Sequence, residues 1–271
     1  QLELLDPVSD PQGWCAARLA GLEYLASDDD RRGALLEVAR HAETVLGDAG
    51  LAVEWRVQAA TIRLDADVVA DLVAVAKDAD TARMVVAGLT GLADQVPGDA
   101  DRALLHGAAF EVGLAWWPDT DELDPLARAA ATTNPPRLDA ALWLEARAAD
   151  RGDTEALADL LDARAVALKE TEPGTAIDAW MQLAELASGP LGQPERAGTA
   201  LDQVLALEHG HEGALRMRFD LADRLDDAEV LVRLADDVAI MSDEAGTIAV
   251  LTRKAKALEQ LRRRDEALAA W

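Results

Sequence analysis

The chain is short of the residue types that most often carry chemistry. Its 271 residues include one cysteine (Cys15), one tyrosine (Tyr24), one asparagine (Asn134) and four histidines. A single thiol excludes an internal disulfide framework and an all-cysteine metal cluster. Aromatic residues make up 4% of the chain and β-branched residues are few, which disfavours strands. Positive charge is scarce too: 26 Lys+Arg stand against 51 Asp+Glu, a net charge of −25, and only Lys77, Lys169, Lys254 and Lys256 are lysines. That balance excludes a nucleic-acid binder that works by neutralising phosphates, and it opposes docking on an anionic membrane surface. No apolar run approaches the ~20 residues needed to cross a bilayer. The longest candidate, residues 103–117, is broken by His106 and Glu111.

Recognisable catalytic signatures are missing as well. Gly88-Leu-Thr-Gly91 has neither a third glycine nor a preceding strand, so it is no phosphate-cradling loop. There is no G-x-S-x-G and no H-E-x-x-H. The four serines, Ser9, Ser27, Ser188 and Ser242, all fall at expected helix ends, where capping is the ordinary role.

What is present is a helix former's palette. Half the residues are apolar, mainly alanine and leucine, accompanied by Glu, Asp and Arg. Apolar residues recur at i, i+3, i+4 and i+7 almost throughout, as in Leu157, Leu160, Leu161, Ala165 and Leu168. Short breaks carry stop and start chemistry, among them Gly47–Ala49, Asp78–Asp80, Asn134–Pro136, Gly152–Asp153, Gly189–Pro194 and Ser242–Asp243. Pro136, Pro173 and Pro194 are placed at helix starts, where a missing N–H costs nothing. The pattern predicts about fourteen helices of ~12–20 residues. The brief alternation over Ala52–Val57 continues into Gln58–Leu64 and reads as helix.

The helices come in pairs, and the pairs repeat. Four second helices open alike, at Asp153-Thr-Glu-Ala156, Pro194-Glu-Arg-Ala197, Asp226-Asp-Ala228 and Asp265-Glu-Ala267. A gapless match links residues 34–52 to 179–197, aligning Leu35 with Trp180, Val38 with Leu183, Ala39 with Ala184, Ala42 with Ala187 and Ala52 with Ala197. Self-similarity at this period is the mark of stacked helix pairs that cannot bury their apolar faces alone.

Residues 177–209, through Trp180, Leu183, Ala184, Ala197, Leu201 and Val204, resemble a tetratricopeptide repeat of the divergent bacterial type. Ala187 stands where that family places Tyr, and His209 where it places the closing Pro. The resemblance implies an all-α superhelix, or solenoid, of antiparallel helix pairs. Residues 136–271 carry it recognisably, residues 31–64 more weakly, and residues 65–135 show no phase. We therefore expect an N-terminal helical array over 1–135, continuous with tetratricopeptide-like repeats over 136–271.

Clusters with an alternative chemical reading have simpler explanations. Glu208-His209-Gly210-His211-Glu212 has metal-like residues but occupies an expected turn. Asp28-Asp29-Asp30 reads as an acidic helix start favoured by the macrodipole. Trp116-Trp117 reads as a helix-end wedge, the other tryptophans as core, and Cys15 as a small buried residue.

These observations predict a non-catalytic protein–protein interaction scaffold with no cofactor and no metal. In tetratricopeptide proteins the first helix of each pair lines a concave groove. The resemblance places Asp178, Gln182 and Glu185 there, with Glu37 and Arg40 at positions equivalent to Gln182 and Glu185. An acidic groove calls for a basic protein or peptide. The runner-up is a regulatory or sensor segment of a larger signalling enzyme or transcription regulator, because the chain begins at Gln1 and stops at Trp271 inside a helical pattern. The same ending suggests end-to-end self-association through the last helix. The expected compartment is the cytoplasm, since residues 1–10 lack the basic and apolar regions of a signal peptide.

Overall fold

Aspartate does much of the work of starting helices. In the computed structural model, which describes residues 7–270, the carboxylates of Asp10, Asp48, Asp65, Asp78, Asp153, Asp227 and Asp243 each accept the backbone N–H three residues on. Ser27 does the same with its hydroxyl. Such a cap contributes about 1 kcal/mol and satisfies a donor that the helix cannot. Part of the acidic surplus is thus structural.

Fifteen helices account for most of the described residues. The chain divides into two units, residues 1–144 and 145–271. The first holds α1 (Pro11–Ala20), α2 (Asp28–His41), α3 (Ala49–Ile62), α4 (Ala66–Val73), α5 (Ala79–Ala93), α6 (Asp99–Trp116) and α7 (Leu123–Ala131), together with the start of α8 (Leu138–Asp150). The second holds the end of α8 and then α9 (Thr154–Leu168), α10 (Pro173–Ser188), α11 (Pro194–Leu207), α12 (Glu212–Arg224), α13 (Ala228–Ile240), α14 (Glu244–Gln260) and α15 (Arg264–Ala270). Within each unit helices adjacent in the chain pack against one another, α1 to α7 in the first and α9 to α15 in the second.

In the second unit the pairing is periodic down to the backbone. The turns that close α8, α10, α12 and α14 each hold one left-handed residue: Gly152, Gly192, Asp226 and Arg262, at intervals of 40, 34 and 36 residues. The residue after each donates its N–H five or six positions back: Asp153 to Ala148 (2.9 Å), Gln193 to Ala187 (2.7 Å), Asp227 to Ala222 (2.9 Å) and Arg263 to Leu258 (2.9 Å). This is the Schellman way of ending a helix, and it turns the chain sharply into the second helix of the pair. The turns leading into α10, α12 and α14 have no left-handed residue. Among its described residues the first unit contains one copy, with Gly47 left-handed and Asp48 donating to Ala42 at 2.9 Å.

Arg262 occupies this conformation with a side chain, which costs ~1–2 kcal/mol where glycine is nearly free. Arg262→Gly should therefore stabilise the protein by about 0.5–1 kcal/mol, and Gly192→Ala should destabilise it by at least ~1 kcal/mol. Urea unfolding of the two variants reads both signs.

The residues matched between 34–52 and 179–197 are buried in both places, each in its own unit: Leu35 and Trp180, Val38 and Leu183, Ala39 and Ala184, Ala42 and Ala187, Ala52 and Ala197. The two segments then differ, because α2 ends in a π-type turn over Ala42–Leu46 while α10 continues to Ser188. Residues 65–135 lack a phase for a visible reason. α4 has 8 residues and α7 has 9, and α3 packs on α5 as well as on α4. Pro136 is not at a helix start after all; α8 begins two residues later, at Leu138. The break over Arg63–Asp65, which separates α3 from α4, has no glycine or proline to announce it. Among the described residues no helix is long and apolar enough to cross a membrane.

Candidate interaction surface

α10 shows how one helix separates a core face from a docking face. Pro173 sits in its first turn. Ala176, Ile177, Trp180, Leu183, Ala184 and Ala187 are buried along one side. The 3.6-residue period then places Asp178, Gln182 and Glu185 together on the other, all exposed. None of these three side chains has a hydrogen-bonding or ionic partner.

Several carboxylates on the neighbouring helices are taken instead. Asp162 accepts from Trp180 Nε1 at 3.1 Å, and Arg196 holds both Glu155 (3.1 Å) and Asp159 (2.6 Å). Asp220 and Asp223 meet Arg253 at 2.9 and 3.6 Å, and Asp236 holds Lys254 at 2.6 Å. In each of these contacts the donor lies later in the chain than the carboxylate. The α10 carboxylates have no such partner.

The expected counterparts in the first unit behave differently. Glu37 and Arg40 both lie on the exposed side of α2. Glu37, however, is held by Arg18 of α1 at 2.6 Å, so its charge is balanced locally. The self-association expected around Trp271 falls on a residue outside the described ones.

Three buried arginines are the residues that sequence reasoning missed. Arg164 of α9 donates through Nε and Nη2 to both oxygens of Glu145 of α8, at 2.6 and 3.0 Å, with both side chains under 10% exposed. Arg218 of α12 donates to Asp202 of α11 at 3.1 and 3.3 Å, its guanidinium packed over Gly198. In the first unit, Arg56 of α3 donates to Glu43 at 2.6 Å, and Lys77 shares the same carboxylate. Lys77 first, and Arg56 with it, hold the Glu43 carboxyl below its ordinary value. The available signal was an arginine falling on an apolar stripe, as Arg164 does beside Leu161, Ala165 and Leu168.

The other clusters resolve into structure. His211 Nδ1 accepts the N–H of Ala214 and caps α12. Among the described residues no group of three or more His, Cys, Asp or Glu could hold a metal ion. Asp28 and Asp29 pair with Arg31 and Arg63, while Asp30 accepts from Ser27. Burial pushes the Cys15 thiol up from its ordinary value. Burial likewise lowers His106 and favours its neutral form. Trp117 is buried beneath the Arg83 guanidinium, whereas Trp116 is 38% exposed, so only one of the pair is a core wedge. Trp180 is fully buried, and Trp14, Trp55 and Trp143 are half-buried.

These features define an all-α protein of sequentially packed helix pairs, with an uncompensated acidic face on α10. No family model matches the chain, and no curated protein is similar to it. Among solved structures, one described as "Computational Design of Self-Assembling Cyclic Protein Homooligomers" aligns with 99% of this chain and 91% of that chain, at 17% identity and a TM-score of 0.16. Overlap that low carries no argument about fold or function.

Proposed function

We propose that the chain is a non-catalytic scaffold of tetratricopeptide-like helix pairs, and that the exposed face of α10 captures a basic segment of a partner protein. The supporting observation is the unpartnered row Asp178, Gln182 and Glu185, in a molecule whose net charge is −25. The recurring left-handed closures at Gly152, Gly192, Asp226 and Arg262 support the repeat reading. The burial shared by residues 34–52 and 179–197 supports it too. Complementary charge of this kind raises the rate of encounter and rejects acidic partners more than it adds affinity.

The test is charge reversal. Asp178→Lys combined with Glu185→Lys replaces two exposed, unpartnered side chains and should leave the helical circular dichroism unchanged. Binding of a fluorescent peptide of alternating arginine and alanine should weaken by about tenfold or more, as expected when ~1.4 kcal/mol or more of attraction turns to repulsion. Unchanged affinity would remove α10 from the account.

A further inference from the structure

A cleft of about 220 Å³ opens between α12, α13 and α14. Phe219, Val238 and Val250 make its floor, and all three are buried in the core of this unit. Its rim is polar, but every charged or hydroxyl side chain there already has a partner. Arg216 holds Glu212 at 2.8 Å and donates to the carbonyl of Met241 at 2.8 Å. Arg253 pairs with Asp220 at 2.9 Å and lies over the Phe219 ring, 5.7 Å from its centroid. Ser242 Oγ donates to the carbonyl of Val238 at 2.8 Å.

That rim selects the occupant. A charged side chain would have to compete with one of these pairs to gain a contact. An apolar side chain disturbs none of them and covers the floor. Apolar surface also stands in the open on the elements that form the cleft. Ile248, beside the lining residue Ala249, is 62% exposed, and Ile240, just past Val238, is 83% exposed. Thr247 Oγ1 donates to the carbonyl of Ala239 at 3.0 Å and joins these two stretches. An apolar cavity of ~150 Å³ holds a benzene ring, so the cleft has room for one leucine or phenylalanine side chain.

The exposed row of α10 leads to this cleft across α12. The methyl of Met181, next to Gln182, lies 3.4 Å from where a side chain on Gly213 of α12 would begin. α12 is joined to α14 in turn by Asp220 and Arg253. With ~10 Å between neighbouring helix axes, the cleft lies about 15 Å from the axis of α10, a span of roughly four to five residues of extended chain.

We infer that the cleft seats one leucine- or phenylalanine-sized side chain of the basic segment, roughly four to five residues beyond the basic residues that meet α10. This inference rests on the proposed capture of a basic segment and names what else that segment carries.

The experiment is a titration of the full chain with two capped peptides, read by affinity and by amide chemical shifts. Both contain an alternating arginine–alanine stretch; about five residues beyond each end, one has leucine and the other serine. The leucine peptide should bind about tenfold more tightly, with saturable shifts over residues 238–253 that the serine peptide does not produce. Ala249→Gln, at an exposed position of the lining, should remove that advantage and leave the affinity of the serine peptide unchanged. Equal affinities, with shifts confined to α10, would overturn the cleft and leave the capture of a basic segment standing. A leucine advantage that survives Ala249→Gln would put the apolar contact elsewhere and overturn the cleft as well. Failure of both peptides to bind would overturn both readings.

Discussion

Replacing Glu145 by alanine should lower the stability of residues 145–271 by about 3–5 kcal/mol. The Glu145 and Arg164 side chains form two hydrogen bonds, at 2.6 and 3.0 Å, and are 9% and 7% exposed respectively. Removing the carboxylate strands a guanidinium that cannot neutralise itself by losing a proton. The cost is therefore that of an unpaired buried charge, not of a lost surface contact. The companion experiment is a double replacement, Glu145→Leu with Arg164→Met, which removes both charges and keeps the volume. It should recover most of the loss, because a buried pair adds little beyond what a well-packed apolar pair would. Denaturant unfolding of the single and double variants gives the coupling directly. A single-variant loss below about 1 kcal/mol, the range of exposed pairs, would mean that water reaches Arg164.

Trp180→Ala should be similarly severe, at about 3–5 kcal/mol. Trp180 is 1% exposed and is the largest of the fully buried side chains among the described residues. It is buried on α10, which packs against both α9 and α11, and its Nε1 donates to Asp162 of α9 at 3.1 Å. Trp180→Phe separates the two contributions. It retains most of the ring volume and loses the hydrogen bond, so it should cost about 0.5–1.5 kcal/mol for the bond and a smaller amount for the gap. Calorimetric melting of the pair reads both. Near-equal losses for Ala and Phe would contradict the cavity argument and place the weight on Asp162.

The sequence made some of this legible for simple physical reasons. Aspartate, serine and proline at helix starts announce themselves, because backbone N–H groups there need acceptors and proline lacks a donor. Gly47, Gly152 and Gly192 mark the left-handed turns for which glycine is the default. Asp226 and Arg262 make the same turn without that signal, so their equivalence becomes visible only in the backbone. The exposure of Asp178, Gln182 and Glu185 follows from helical period, since the same stripe that buries Trp180 and Leu183 must expose them, whereas their place in a groove is implied only by the repeat resemblance. The neutralisation of Glu37 by Arg18 does not follow, because it depends on how α1 lies against α2. The buried arginines were hidden for a related reason. An arginine counts as polar in any hydrophobic pattern, and its partner sits on the preceding helix, 16 residues away for Asp202 and 19 for Glu145. α4 and α7 are too short to show a period, which is why residues 65–135 could be read as helical but not phased.

The central claim is that an acidic, unpartnered helix face captures a basic segment. The measurement that tests it most directly is the affinity of the full chain for the arginine–alanine peptide at low and at physiological ionic strength, beside the glutamate–alanine peptide of equal length. Saturable binding of the arginine peptide alone, weakening as salt screens the exposed carboxylates, is the predicted result. Binding that ignores salt, or equal binding of the two peptides, would contradict it.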